Sequence, residues 1–189
     1  MDNIRKYFNE FVAQSDEDWA IFSSKLERVE FPKKSIILEK GKREKFLSFI
    51  AKGIVRFNIP KPDYDFTFGF AFENTFVSGY DSFLTKTPSL YNIEAIADCV
   101  LWRINCEDLE TVYDSTSIGD RIGRKIAEEL YLKKMKREMS LLEDTAKKRY
   151  LDLMSEQPQL IKYIPQKYLA SYIGIRPQSL SRIRKEISI

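Results

Sequence analysis

Residues 164–187 carry the pattern that most constrains the fold of this chain. They read IPQKYLASYIGIRPQSLSRIRKEI, in which an apolar-patterned segment stops at Gly174 and a second segment begins at Pro177. Proline suits the first position of a helix, because that position needs no backbone N–H. Two short helices joined by a glycine-containing turn form a helix-turn-helix, whose second helix can enter the major groove of DNA. We expect Leu180 and Ile183 to face inward.

The outward side of the predicted second helix is polar and cationic. Gln and Arg side chains can form paired hydrogen bonds with the edges of adenine and guanine. A surface hairpin with solvated charges is the alternative interpretation, but the turn spacing and the cation-rich second helix favour nucleic-acid recognition. The predicted DNA-binding residues are Arg176, Gln178, Ser179, Ser181, Arg182 and Lys185, with Gln166 and Lys167 from the first helix.

The distribution of charge agrees with this interpretation. Residues 143–189 hold nine Lys/Arg against five Asp/Glu, a net charge of +4, whereas residues 1–142 hold 22 basic and 23 acidic residues. The positive excess therefore lies on the segment with the helix-turn-helix pattern, as contact with phosphates requires.

The composition excludes several classes of function. The chain has no histidine and only two cysteines, Cys99 and Cys106. Histidine-based acid–base chemistry, most zinc or non-haem iron sites, haem ligation by histidine and four-thiolate iron–sulfur clusters are therefore not expected. A metal-dependent enzyme on a cupin-like barrel is disfavoured for the same reason, so we predict no catalytic residues, no metal and no cofactor, and expect Cys99 and Cys106 to be small hydrophobes. No apolar run is long enough to span a bilayer, and the start MDNIRKYFNE lacks the apolar core of a signal peptide, so we expect a cytoplasmic protein without a membrane partner.

Coarse secondary structure follows from periodicity. Residues 1–27 show helical spacing, and Ser15 is predicted to cap a second helix within them. From Val29 to Ile104, short β-branched and aromatic runs between turns predict an antiparallel sandwich or barrel. The predicted strands are 35–38, 46–50, 53–59, 66–72, 92–97 and 99–104. A short helix should begin at Asn105 or Glu107, and another should cover residues 144–156 before Pro158.

A long helix is predicted over residues 117–142, with apolar residues in two stripes. A helix that is apolar on two sides usually has two partners, which here would be its own barrel and a second copy of itself. A helix packed within one domain fits the pattern equally well. The predicted dimer-helix residues are Ile118, Ile122, Ile126, Leu132, Met135 and Met139. The resulting domain prediction is a sensor domain at 1–116, a dimerisation helix at 117–142 and a DNA-binding domain at 143–189.

This arrangement resembles the Crp/Fnr family of bacterial transcription regulators over nearly the whole chain. The matching pieces are IILEKGK (36–42), FLSFIAKGIVRF (46–57), FVSGYDSFLTKTPSLYNIEAIADCVLWRI (76–104) and the closing helix-turn-helix. The resemblance implies an α+β fold. Its parts would be an N-terminal antiparallel β-roll (a double-stranded β-helix or jelly roll like the cyclic-nucleotide-binding domain), a long connecting dimerisation helix, and a C-terminal winged-helix-like helix-turn-helix domain. Since the connection PQLIKYIPQ is short, any β-wing should be reduced.

The resemblance also implies residue roles. Arg182 matches the family arginine that reads guanine, and Gln178 stands where a base-reading glutamate is usual. Because Gln pairs well with adenine whereas Glu accepts from cytosine, we expect a different target sequence. Arg176 and Ser179 fall at positions that contact phosphates. The implied partners are double-stranded DNA with a near-palindromic site, a second copy of the chain and RNA polymerase.

The effector site departs from the family pattern. Cyclic-nucleotide-binding members have a Gly-Glu pair and a Pro-Arg pair that hold the ribose and the phosphate, but here Gly79 precedes Tyr80 and Pro88 precedes Ser89. Loss of the arginine removes a charge-assisted contact, and Lys86 is the nearest candidate to replace it. We therefore do not expect cyclic AMP to bind in the usual way. The residues expected around the pocket are Gly79, Tyr80, Ser89, Leu90, Tyr91 and Asn92.

Three interpretations of the β-roll stay open: it binds another small-molecule effector, it is a dimerising scaffold, or it contacts a protein. For the whole chain, we predict a dimeric, sequence-specific DNA-binding regulator without enzymatic activity. The alternative is a ligand-sensing or protein-binding module with a degenerate helix-turn-helix, to which Pro177 gives some weight.

Overall fold

The computed structural model describes residues 1–187, and the chain divides into two compact units. The first, which we call the β-roll unit, comprises Met1–Ile59 and Phe70–Glu129; the second, the C-terminal unit, comprises Pro60–Gly69 and Leu130–Ile189. The segment 117–142 that we predicted as a separate dimerisation helix is thus shared between the two units.

Two helices open the β-roll unit, α1 (Asp2–Asn9) and α2 (Asp16–Ser24). Ser15 caps α2, as predicted, because its hydroxyl accepts the backbone N–H of Asp18 at 3.0 Å. Phe8 of α1 is buried, with its ring 5.0 Å from Phe22 and stacked 5.5 Å from Phe76. Aromatic packing therefore holds both helices against the unit.

Eight strands form two four-stranded sheets. Their bounds are β1 (Glu27–Phe31), β2 (Ile36–Leu38), β3 (Phe46–Lys52), β4 (Ile54–Ile59), β5 (Phe66–Phe72), β6 (Phe76–Val77), β7 (Asn92–Ala95) and β8 (Cys99–Asn105). One sheet has the order β1-β8-β3-β6 and the other β2-β7-β4-β5. The pairings of β8 with β1 and β3, and of β7 with β2 and β4, are antiparallel, which confirms the predicted antiparallel β-roll.

Two strands were missed from the sequence. β1 reads ERVEF, whose charged residues are exposed at the edge of a sheet, and β6 has only two residues. The alternation in β1 comprises only two apolar residues, Val29 and Phe31, and β6 is too short to show a period.

The core of the β-roll unit lies between the sheets. Ile50 and Leu101 from one sheet meet Val55, Ile93 and Ala95 from the other, all at most 1% exposed. Cys99 is also buried there, and Cys106 is half-buried. Their free thiols agree with the expectation that they are small hydrophobes.

Three further helices follow along the chain, of which the second and third were predicted from the sequence pattern. α3 (Tyr80–Thr85) lies between β6 and β7, and α4 (Cys106–Ser115) follows β8. The side chain of Asn105 caps α4 by accepting the N–H of Asp108 at 2.9 Å. The long helix, α5, runs from Gly119 to Glu143.

The C-terminal unit is built from α6 (Ala146–Glu156), α7 (Pro158–Tyr163), α8 (Gln166–Tyr172) and α9 (Pro177–Ile187). Pro158 follows the end of α6 and also begins α7, where it occupies the first turn. Residues 106–187 contain no strand, so the connection for which we predicted a reduced wing holds α7 instead. No helix within residues 1–187 is both long and apolar enough to cross a bilayer.

Candidate nucleic-acid interface and effector pocket

A tight turn joins α8 to α9. Gly174 adopts φ +78°, a left-handed conformation that favours glycine, and follows the last residues of α8. The N–H of Ile175 donates to the carbonyl of Ala170 at 2.9 Å, and that of Gly174 to Ser171 at 3.1 Å. This pair of bonds is a Schellman motif, which ends α8 sharply. The predicted helix-turn-helix is confirmed.

Arg149 of α6 fixes this turn from the side. Its Nε donates to the carbonyl of Ile173 at 2.8 Å, and its Nη1 donates to the carbonyl of Asp144 at 2.5 Å. A longer bond of 3.5 Å reaches the carbonyl of Ser140 in the last turns of α5. One guanidinium thus satisfies carbonyl groups at the ends of two helices. Sequence reasoning missed this residue, because its partners are up to 24 positions away.

The segment Pro60–Gly69 also belongs to the C-terminal unit and contacts α8. The hydroxyl of Ser171 accepts the N–H of Thr67 at 2.8 Å and donates to the carbonyl of Asp65 at 3.2 Å. Together with Arg149, this contact holds the first helix of the hairpin on two sides.

The inner face of the hairpin is apolar. Leu169, Ala170, Ile173 and Leu180 are each at most 3% exposed, whereas Ile183, which we also expected to face inward, is half-buried. Burial of the inner face sets the rotation of α9, because residues three and four positions apart share a face. Gln178, Ser179, Ser181, Arg182 and Lys185 are exposed on the opposite side of α9.

All eight predicted DNA-binding residues are exposed. They are Gln166, Lys167, Arg176, Gln178, Ser179, Ser181, Arg182 and Lys185. Within residues 1–187, no ion pair involves Arg176, Arg182 or Lys185. The outward face of α9 thus presents cationic and hydrogen-bonding groups that no carboxylate neutralises, which is the electrostatic requirement for binding phosphates.

The predicted dimer-helix residues separate into two groups. Ile118, Ile122 and Ile126 are 9%, 6% and 4% exposed, so their side chains are largely covered within their own chain. Their place in a dimer seam stays a prediction. Leu132 and Met139 are 64% and 42% exposed, and Met135 is half-buried. The apolar surface of α5 that is free in one chain therefore begins beyond residue 130, where Tyr131 and Leu142 extend it.

The expected effector pocket is built around the start of α3. Gly79 precedes that helix, and a Cβ at this position would lie 2.4 Å from Cδ2 of Leu38, so a larger residue here would have to displace the Leu38 side chain. The N–H of Gly79 donates to Oε2 of Glu44 at 3.1 Å. Glu44 is 6% exposed, and its Oε1 accepts the N–H groups of Lys45 and Phe46 at 2.9 and 3.0 Å. The carboxylate of Glu44 thus already accepts the hydrogen bond of a backbone N–H group at the start of α3.

Tyr91, immediately before β7, lies in the same region. Its hydroxyl donates to the carboxylate of Asp81, and its ring lies 6.1 Å from Phe57 against the core. Burial raises the pKa of the Tyr91 hydroxyl, and the hydrogen bond to Asp81 raises it further, so this side chain stays neutral. Ser89, which stands where the family has arginine, is 2% exposed and donates its hydroxyl proton to the carbonyl of Tyr91 at 2.9 Å.

The other predicted pocket residues are less suited to hold a ligand. Leu90 is 70% exposed, so its side chain lies on the surface. Tyr80 stacks on Phe83 with ring centroids 6.2 Å apart, and burial raises the pKa of its hydroxyl. The side chain of Asn92 accepts the N–H of Lys40 at 2.7 Å.

The charged side chains at the start of α3 and beside Tyr91 are the carboxylates of Glu44 and Asp81, and each accepts hydrogen bonds from the protein itself. Lys86 follows the last residue of α3, at the far end of that helix from Gly79. Arg56, on β4, is 2% exposed and bound to Glu94 through Nη2 at 2.5 Å. Its neighbour Val55 points into the core, so Arg56 lies on the opposite face of its strand.

Within residues 1–187, no group of three His, Cys, Asp or Glu side chains is arranged to hold a metal ion.

The chain matches one family model and several solved structures of transcriptional regulators. Residues 28–116 match the model of the cyclic nucleotide-binding domain. The chain is similar in structure to CLP, a c-di-GMP-responsive global regulator of Xanthomonas campestris, with a TM-score of 0.71, 18% identity and 92% of each chain covered. FixK2 from Bradyrhizobium japonicum matches with a TM-score of 0.74 and 14% identity over 86% of this chain and 84% of its own. A Crp/Fnr-family protein from Eubacterium rectale matches with a TM-score of 0.71 and 16% identity over 97% and 88% of the two chains. No curated protein sequence matches the chain.

Proposed function

Because residues 28–116 belong to the cyclic nucleotide-binding domain family and the chain has the fold of Crp/Fnr transcriptional regulators, we propose that it is a dimeric, sequence-specific DNA-binding regulator. The observation that carries this proposal is the outward face of α9. Arg182 and Lys185 on this face are exposed, and the inner face of the helix is fixed by burial of Leu180.

The residue roles follow from side-chain chemistry and from the resemblance. Arg182 reads a guanine edge and Gln178 an adenine edge in the major groove. Arg176 and Ser179, at the start of α9, bind phosphate oxygens and set the register of the helix. Gln166 and Lys167 at the start of α8, together with Ser181 and Lys185 on α9, extend the contact surface.

Dimerisation through the second half of α5 supports recognition of a near-palindromic site. Leu132 and Met139 expose apolar surface that a second copy of the helix would cover. Two recognition helices in a symmetric dimer address half-sites about 34 Å apart.

We propose that the β-roll unit does not bind cyclic AMP in the way that is usual in the family. Glu44 takes the Gly79 N–H, and Ser89 stands in place of the phosphate-binding arginine. The missing arginine at position 89 and the carboxylates of Glu44 and Asp81 in the same region support this part of the proposal.

Selection of binding sites from random duplex DNA with the purified protein tests the proposal. We expect one enriched, near-palindromic motif. Arg182→Ala should flatten base preference at one position of each half-site, whereas Arg176→Ala should weaken binding to all sequences similarly. Arg121→Ala is the matched control, since Arg121 is exposed in the first turn of α5 and far from α9 in sequence. If no motif is enriched, the helix-turn-helix is degenerate and the chain is a ligand-sensing or protein-binding module.

A further inference from the structure

Residues 157–185, which we call the cationic segment, carry positive charge and no carboxylate. The segment has six Lys or Arg residues and no Asp or Glu. It covers α7, α8 and most of α9, so the stretch without carboxylates begins before the helix-turn-helix. Its cations are Lys162, Lys167, Arg176, Arg182, Arg184 and Lys185.

The charges at the start of this segment differ from those of α6, the helix before it. Lys148 of α6 pairs with Asp144 and with Asp152, at 2.9 Å each. Within residues 1–187, by contrast, no ion pair involves Lys162 of α7 or Lys167 of α8. The charge of α7 is therefore available to an anionic partner, as is that of the hairpin.

α7 has a buried apolar side and an exposed polar side. Leu160 and Ile164, four residues apart, are 1% and 5% exposed, so they fix which side of the helix faces inward. Lys162 is exposed, and Tyr163 is 56% exposed. Nζ of Lys162 lies 5.1 Å from the ring centroid of Tyr163, which places the cation beside the phenol on the surface. A lysine and a tyrosine hydroxyl are both donors that bind phosphate oxygens in DNA complexes.

The chain keeps α7 close to the start of α8. Only Ile164 and Pro165 separate the two helices, so Tyr163 lies three residues before Gln166. Three residues span at most about 11 Å. Since each DNA strand carries one phosphate per about 3.4 Å of helix axis, that reach corresponds to about three base pairs. The first helix of a helix-turn-helix crosses the DNA backbone, so α7 is within reach of the phosphates next to it.

We infer that α7 binds the DNA backbone beside the start of α8, in the part of the chain where we expected a reduced wing. Lys162 neutralises a phosphate, and the hydroxyl of Tyr163 donates to a phosphate oxygen. The inference rests on the proposed function, because it adds a third helix to the same DNA surface. Duplex DNA is the partner that fits, since the charge of α7 is continuous with that of α8 and α9 and no carboxylate interrupts it.

Fluorescence anisotropy of the full chain with a labelled duplex of mixed sequence, over a range of salt concentrations, tests this contact. Mixed sequence is sufficient, because a phosphate contact does not read the bases. Lys162→Gln should lower the slope of log K against log salt concentration by about 0.9 for each bound chain, and should weaken binding about tenfold at about 50 mM salt. Tyr163→Phe removes a neutral donor, so it should weaken binding about threefold and leave the slope unchanged.

Lys134→Gln is the matched control. Lys134 is an exposed lysine of the same unit, but it lies on α5 and outside the cationic segment, so this variant should bind as the wild type does. Lys162 and Tyr163 are exposed, so their variants should keep the native circular dichroism spectrum. The inference is overturned if Lys162→Gln keeps the affinity and slope of the wild type, or if Lys134→Gln loses as much.

Arg176→Ala in the same titration separates this inference from the proposed function. If Arg176→Ala weakens binding and Lys162→Gln does not, only the role of α7 is lost. If neither substitution weakens binding and site selection enriches no motif, the proposed regulator function is lost as well.

Discussion

Oε2 of Glu44 accepts the backbone N–H of Gly79 at 3.1 Å, across 35 positions of sequence. The same carboxylate binds the N–H groups of Lys45 and Phe46, and it is almost fully buried. A buried charge of this kind is tolerated only with such compensation, so the loop before β3 and the start of α3 depend on one side chain.

Glu44→Ala should therefore destabilise the protein. Three N–H groups would lose their partner in a largely buried place, and we expect a loss of about 3 kcal/mol in the free energy of unfolding. Urea denaturation followed by circular dichroism measures it. Glu39→Ala is the control, because Glu39 is exposed and its loss should cost no more than about 0.5 kcal/mol. Equal effects of the two substitutions would contradict the role given to Glu44.

Cyclic AMP should not stabilise the protein. A ligand present at about 100 times its Kd raises the free energy of unfolding by about 2.7 kcal/mol, which a thermal melt detects easily. Because Ser89 stands where the family has its phosphate-binding arginine, we expect no change in the melting temperature with cyclic AMP or cyclic GMP. A rise that grows with the logarithm of nucleotide concentration would refute this prediction.

The salt dependence of DNA binding should distinguish phosphate contacts from base contacts. Each phosphate neutralised on duplex DNA adds about 0.9 to the slope of log K against log salt concentration. Arg176→Ala should lower that slope by about this amount, as measured by fluorescence anisotropy over a range of salt, whereas Arg121→Ala should leave it unchanged. An unchanged slope in Arg176→Ala would remove Arg176 from the phosphate contacts.

Substitutions in the two halves of α5 should have different effects. Leu132 is 64% exposed, so Leu132→Lys should prevent self-association in sedimentation velocity while circular dichroism stays native. Ile122 is 6% exposed, so Ile122→Ala should instead lower the free energy of unfolding by about 2–4 kcal/mol and leave association intact. The proposed seam is mistaken if Leu132→Lys associates as the wild type does.

Arg149→Ala should weaken both stability and DNA binding, although Arg149 is not expected to touch DNA. Its removal leaves the carbonyl groups of Ile173 and Asp144 without their donor, which should cost about 2 kcal/mol in unfolding free energy. DNA affinity should fall because the turn before α9 is less fixed. Arg149→Lys, which keeps one charged donor, should recover part of both losses; no recovery would indicate a purely steric role.

Features that depend on neighbours in sequence were predictable. The alternation of apolar residues located β5 at residues 66–72, and Ser15 and Asn105 cap their helices through groups three residues away. The glycine of the helix-turn-helix was found in the same way, since its conformation is a local requirement. β6, with two residues, is too short to carry any period.

Features that depend on distant partners were not predictable. Glu44 was not singled out, because nothing near it in sequence indicates that it binds Gly79. The two apolar stripes of α5 were recognised, but periodicity does not say which stripe is covered by the same chain. The structure answers that by burying Ile118, Ile122 and Ile126 while leaving Leu132 exposed.

The hydrogen bonds of Arg149 have a thermodynamic consequence. They join the end of α5 and the turn before α9 through a single guanidinium. A displacement of the end of α5 should therefore also move the turn before α9. If subunits associate through α5 and DNA binds α9, the two equilibria are linked, and each must strengthen the other by the same factor. Measuring subunit association with and without DNA would give that factor, and Arg149→Ala should bring it towards one.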